Sequence, residues 1–165
     1  MKEFFEKISS YNIFNNLLSG ILFVVIAKHI TIYDFVQSDI LLGLFLYYFI
    51  GLIIGRIGSL VIEWFLKKVK FIKYSKKEDF IVAQKQDKKI DILLENTNMY
   101  RTLCAMGLLL LLLKLYEFCS IKFQICDTVT HILLGVLICI LFLFSHKKQT
   151  KHIVERVEYN KLKNK

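Results

Sequence analysis

Residues 40–66 read ILLGLFLYYFIGLIIGRIGSLVIEWFL, and this stretch decides the fold. Its only charged side chains are Arg56 and Glu63. A bilayer's hydrocarbon core is about 30 Å thick and takes about 20 helical residues to cross. The stretch therefore predicts a membrane-spanning helix. Three further apolar runs, at residues 13–27, 103–118 and 129–145, reach that length or approach it once their mildly polar flanks are counted. The segments between them are too short to hold a separate soluble core. The expected fold is all-α: a polytopic four-helix transmembrane bundle with a cytoplasmic helical hairpin.

Composition points the same way. The 165 residues are 55% hydrophobic yet carry a formal charge of +9, with a mean hydropathy of +0.49. A soluble domain with that apolar load would be exceptional. The chain has no proline, so no helix carries a forced kink or stop. No Ala-x-Ala-like small-residue site follows the first apolar run, which is expected to be a retained helix rather than a cleaved signal peptide.

Charge sets the expected orientation, because short loops rich in Lys and Arg stay cytoplasmic. Residues 67–99 hold Lys67, Lys68, Lys70, Lys73, Lys76, Lys77, Lys85, Lys88 and Lys89. The tail holds Lys147, Lys148, Lys151, Arg156, Lys161, Lys163 and Lys165. By contrast, residues 28–39 set Lys28 against Asp34 and Asp39, and residues 119–127 set Lys122 against Asp127. The expected division is 1–66 for transmembrane helices one and two, 67–99 for a basic cytoplasmic loop, 100–145 for helices three and four, and 146–165 for a basic cytoplasmic tail. Both termini then face the cytoplasm of a multi-pass protein of the cell membrane, the inner one in a diderm. The positive-inside rule accounts for the excess charge. Nucleic acid is disfavoured as a partner, because Glu78, Asp79, Asp87, Asp91 and Glu95 dilute the loop and no aromatic stacking platform is evident.

The basic loop predicts a helix. Ser75 and Glu78 have the spacing of a capping box, and Phe80, Ala83, Ile90, Leu93, Leu94 and Thr97 approximate one helical stripe. Between Ser59 and Met106 there is neither glycine nor proline. Helix two is therefore expected to run on into the cytoplasm and the loop helix to feed into helix three, forming the hairpin. The tail repeats the stripe more weakly with Ile153, Val157 and Leu162. A cytoplasmic protein partner would dock on residues 67–99 and 146–165.

Polar residues within the spans give the candidate sites. Gly51-x-x-x-Gly55-x-x-x-Ser59, with Gly58 beside it, allows close helix approach, either within one protomer or between protomers. Arg56 and Glu63 are almost two full turns apart and share a helix face. Arg56 lies about 24 Å along the helix from Ile40, near the inner boundary. It reads either as a headgroup anchor or as half of an ion pair with Glu63 or another acid. Lys114 follows the run 108–113 and lies about 16 Å along the helix from Leu103, close to the midplane. Its charge there costs about 2.5–3.5 kcal/mol on insertion scales, so it should face protein or water. Lys114, Glu117 and His131 form the expected intramembrane cluster, read either as a structural ion pair or as an ion, proton or solute path. Cys119 and Cys126 bracket the short outer connection and are candidates for a disulfide in an oxidising compartment. Cys104 and Cys139 fall within spans as apolar packers.

Catalytic signals are missing from the sequence. His29, His131, His146 and His152 have no metal-type spacing with the cysteines. There is no phosphate-binding glycine loop, no Gly-x-Ser-x-Gly and no His-Glu-x-x-His. Neither a cofactor nor a metal is expected. The leading functional expectation is a non-enzymatic homo-oligomer in the lipid bilayer that conducts ions or perturbs the membrane under control of its cytoplasmic face. The alternative is a membrane anchor or toxin-immunity-type module that captures a partner protein. Pore-forming subunits of bacterial antiviral defence systems share this small four-helix architecture, a likeness of architecture that does not fix function.

Overall fold

The computed structural model describes residues 2–75 and 77–163, the side chains of residues 2–9, 77, 78, 85, 162 and 163 excepted. It is 86% helix, with no strand among the described residues. Helix α1 spans Lys2–Ile30 and α2 spans Ile40–Ile57. A π-helical turn, Gly58–Ile62, joins α2 to α3, Glu63–Lys68. Then come α4 (Lys77–Gln86), α5 (Lys89–Phe123) and α6 (Asp127–Lys163). Four segments are long and apolar enough to cross a membrane: Ser10–Ile30, Ile40–Lys68, Lys89–Phe123 and Asp127–Lys161.

Local chemistry sets the helix ends. Asp39 caps α2, its carboxylate accepting the Leu42 N–H at 2.8 Å. The extension of helix two expected beyond the lysines does not form, and α3 stops at Lys68. Lys70 turns left-handed there (φ 57°). The Phe71 N–H then donates to the Leu66 carbonyl and the Lys70 N–H to the Lys67 carbonyl. That pair of bonds is a Schellman termination, built on a lysine where glycine is usual. The loop helix is split as well. Asp87 accepts the Lys89 N–H on its carboxylate at 2.9 Å, a local bond that competes with helix continuation. Beyond Lys89 the helix does continue unbroken into the third span, as expected. The expected Ser75–Glu78 capping box falls on Lys76 and the Glu78 side chain, which lie outside the described residues. The composition boundaries at residues 100 and 146 both fall inside unbroken helices.

Helices α1, α2 and α5 form the packed centre. Its apolar core is Phe23, Val24, Ala27, Ile54, Ala105 and Leu110. The α1–α2 contact is backbone against backbone. A Cβ on Gly20 would run into the Tyr47 carbonyl, and a Cβ on Gly51 into the Asn16 carbonyl. Gly58 faces α5, where a Cβ would sit 3.2 Å from the Arg101 carbonyl oxygen. Beside these glycines runs a polar seam. Ser19 donates to the Asn16 carbonyl (3.0 Å), Asn15 to the Thr102 hydroxyl (3.4 Å), and Thr102 to the Asn98 carbonyl (2.9 Å). Asn15, Ser19 and Thr102 are buried, and their mutual bonds remove the cost of unsatisfied polar groups in an apolar layer.

Helix α6 is attached differently. Only 6% of its most apolar stretch is buried, against 28% for that of the first span. It touches α2 through Phe142 stacked on Phe49 (6.2 Å) and α5 through Thr130 against Tyr116 (2.6 Å). The fold is thus a tight trio with a fourth helix along its flank.

Gly51→Ala is expected to lower stability by about 1–3 kcal/mol, the range for overpacking a tight contact. Gly55→Ala, whose Cβ would meet only Asn16 Oδ1 at 3.6 Å, should unfold like wild type. Denaturation in mixed micelles, followed by circular dichroism, checks both.

Candidate functional site

Two polar centres lie at different levels of the span bundle. At the end marked by Lys67 and Lys68, the Glu63 carboxylate gathers cations from three elements. Lys67, one turn later, donates at 2.7 Å. Arg101 of α5 and Lys148 of α6 each approach Glu63 Oε2 at 3.0 Å. Lys148 also donates to the Ser59 carbonyl (2.7 Å) and hydroxyl (2.8 Å). Glu63 is buried, so charge-assisted bonds here are stronger than they would be in water.

The π-turn explains why Arg56 is not among these partners. The Glu63 N–H donates to the Gly58 carbonyl, an i→i+5 bond, and the wider turn breaks the helical count that would stack Arg56 over Glu63. Arg56 is exposed instead, and among the described residues no hydrogen bond or ion pair holds its guanidinium. It lines a cleft of about 180 Å³ with Ser59, Glu63, Arg101, Lys148, Gln149 and His152. Gly51 and Gly58 serve contacts within the chain, whereas Gly55 and Ser59 have room around them or a lysine partner.

The second centre lies further along α5. Lys114 Nζ donates to both Glu117 oxygens at 3.0 Å. The Glu117 side chain is only 9% exposed, while that of Lys114 is 55% exposed. The structure does not join His131 to this pair. His131 is exposed on α6, and no ion pair or hydrogen bond links it to Lys114 or Glu117. Above the pair sits the connection between α1 and α2. Burial raises the phenol pKa of Tyr33 in that connection, and the nearby Glu117 charge adds to the rise. Asp34 is held below the usual carboxylate range by the Val36 N–H and then by Lys28 at 3.0 Å.

Cys119 and Cys126 have free thiols. Cys119 is inside α5, and Cys126 follows the left-handed Gln124 (φ 50°) that ends this helix. Hydrogen bonds from the Thr128 backbone and side chain lower the Cys126 thiol pKa. Among the described residues no three His, Cys, Asp or Glu side chains group to hold a metal ion.

Sequence reasoning singled out Glu63, Lys114 and Glu117 but missed Arg101 and Lys148. The available signal was depth: both bases flank apolar runs at the end where Glu63 interrupts the apolar stretch of its own span. No protein-family model, curated protein or solved structure matches this chain.

Glu63→Gln should destabilise the fold by about 2–4 kcal/mol, around the low end of the range for breaking a buried pair because Lys67 and Lys148 keep solvent contact. Adding Lys148→Gln should recover part of the loss, read as paired shifts in thermal unfolding. Cys126 should alkylate ahead of Cys119 and down to lower pH, because its thiolate forms more readily. Membrane-impermeant maleimide on intact cells, followed by peptide mass spectrometry, measures this and reports whether the α5–α6 connection is outside.

Proposed function

We propose that the protein is a non-enzymatic, multi-pass membrane protein whose copies associate in the bilayer and conduct ions or protons past Lys114 and Glu117. One observation carries this reading: the Lys114 ammonium is half-exposed on the flank of a single chain, directly after its longest leucine run. Hydrocarbon penalises a charge in that position. A second copy covering the flank, or water held between copies, removes the penalty. The sparse burial of α6 supports association too, since it leaves a whole helix face for a neighbour. The basic loop and tail, cytoplasmic by the charge rule, are where control would act.

A second reading, capture of a cytoplasmic protein, is favoured by the far part of α6. This helix runs without a break to Lys163 and exposes Ile153, Val154 and Val157 beyond its apolar stretch.

The double variant Lys114→Leu/Glu117→Leu separates the two. It removes both charges together and leaves no buried carboxylate stranded, a replacement buried pairs often tolerate. The expected outcome in proteoliposomes is normal assembly with ion flux reduced at least tenfold. Unchanged flux in a normally assembled double variant, or no flux from the wild type, would overturn the conduction reading and leave partner capture.

A further inference from the structure

The cleft beside Glu63 is unbalanced in charge. Arg56, Arg101 and Lys148 line it with one carboxylate, Glu63, which Lys67 also reaches from outside the lining. Lys67, Arg101 and Lys148 bind that carboxylate, and among the described residues no hydrogen bond or ion pair holds the Arg56 guanidinium. Arg101 keeps a buried Nε–H without an acceptor. Glu155 is 3.6 Å from His152 at the rim and 4.0 Å from Lys151, and it does not line the cleft. Such a site favours an anion with several acceptor oxygens.

The shape of the site narrows the anion's class. Arg56, Ser145 and Gln149 also border a groove of about 300 Å³ whose other walls are Leu52, Phe142 and His146. A basic chamber thus opens into a slot between α2 and α6 in which Leu52 and Phe142 are the apolar walls. Lys67 and Lys68 close the span at this level, which places the chamber where headgroups lie and the slot where acyl chains begin. A free phosphate would use the chamber and leave the slot empty. A phospholipid fills both.

We infer that this cleft binds the phosphodiester headgroup of an anionic phospholipid, with Arg56 as its principal ligand and an acyl chain lying against Leu52 and Phe142. Basic pockets between transmembrane helices suit such headgroups. Lys148, already committed to Ser59 and Glu63, contributes field rather than a free donor. The site is separate from the Lys114–Glu117 centre and stands or falls independently of ion conduction.

Trp64, the chain's single tryptophan, is next to Glu63 and more than half exposed. It reports the lipid at this level. The experiment uses full-length protein in vesicles with brominated phosphatidylglycerol or brominated phosphatidylcholine as quencher. Wild type should be quenched by the anionic lipid at a several-fold lower mole fraction. Arg56→Gln, which breaks no hydrogen bond or ion pair among the described residues, should reduce that preference about fivefold, the loss of one basic contact near the surface. Lys73→Gln removes an equal charge outside the cleft and should keep the preference. Equal quenching by the two lipids in wild type would overturn the proposal. So would an equal loss in Lys73→Gln, which marks diffuse surface charge. Displacement of the brominated phosphatidylglycerol by millimolar inorganic phosphate at fixed ionic strength would reassign the chamber to a soluble anion and overturn the lipid assignment.

Discussion

A single buried carboxylate ties the membrane segments together. Glu63 is reached by Lys67 of its own helix, Arg101 of α5 and Lys148 of α6. In lipid, helices gain little from hydrophobic attraction to one another, because lipid tails are equally apolar. Close packing and polar bonds must hold them. The α1–α2–α5 trio uses both, through Gly20, Gly51 and the Asn15–Thr102 seam. Helix α6 has hardly any packing, so its Lys148 bonds to Glu63 and Ser59 carry most of its attachment at that end.

The π-turn serves both close packing and polar bonding, through two adjacent residues. It places Gly58 against the α5 backbone, with a Cβ only 3.4 Å from Ala105 Cβ were one present. Next to it, Ser59 offers a carbonyl and a hydroxyl to Lys148. It also turns Arg56 away from Glu63. Irregular turns of this kind concentrate at functional sites, and here the irregularity separates a structural cation cluster from a guanidinium left available to something else.

Much of the fold was legible in the sequence and the rest was not, for identifiable reasons. Four spans follow from hydropathy because each apolar run must satisfy its backbone internally. The run-on of helix three was legible from the lack of helix breakers before Met106. The same argument failed at Lys70, because a lysine accepted the left-handed backbone that glycine usually supplies. The face shared by Arg56 and Glu63 was counted on α-helical periodicity, and the π-turn at Gly58-Ser59 shifted the count. Lys114 and Glu117, being three residues apart on one helix, needed no tertiary information to be paired. Arg101, Lys148 and the Gly20–Gly51 approach did, since nothing local says which helices are neighbours. His131 was grouped by depth alone, and depth does not fix azimuth.

The sparse attachment of α6 has a mechanical consequence. Between Tyr116–Thr130 at one end and Lys148 at the other, the Phe142–Phe49 stack is the ring contact that holds it, and most of this stretch is exposed. A helix in that position answers to hydrophobic mismatch: a bilayer thinner than its apolar length makes it tilt, and a thicker one makes it stand upright. With the short α5–α6 connection acting as pivot, tilt moves the far end most. That end bears Lys148, and its displacement pulls directly on the Glu63 bonds and on the width of the neighbouring groove. For a chain that crosses a bilayer, this geometry would pass a change of bilayer thickness to the electrostatics of the other end of the span, with α6 as the lever arm.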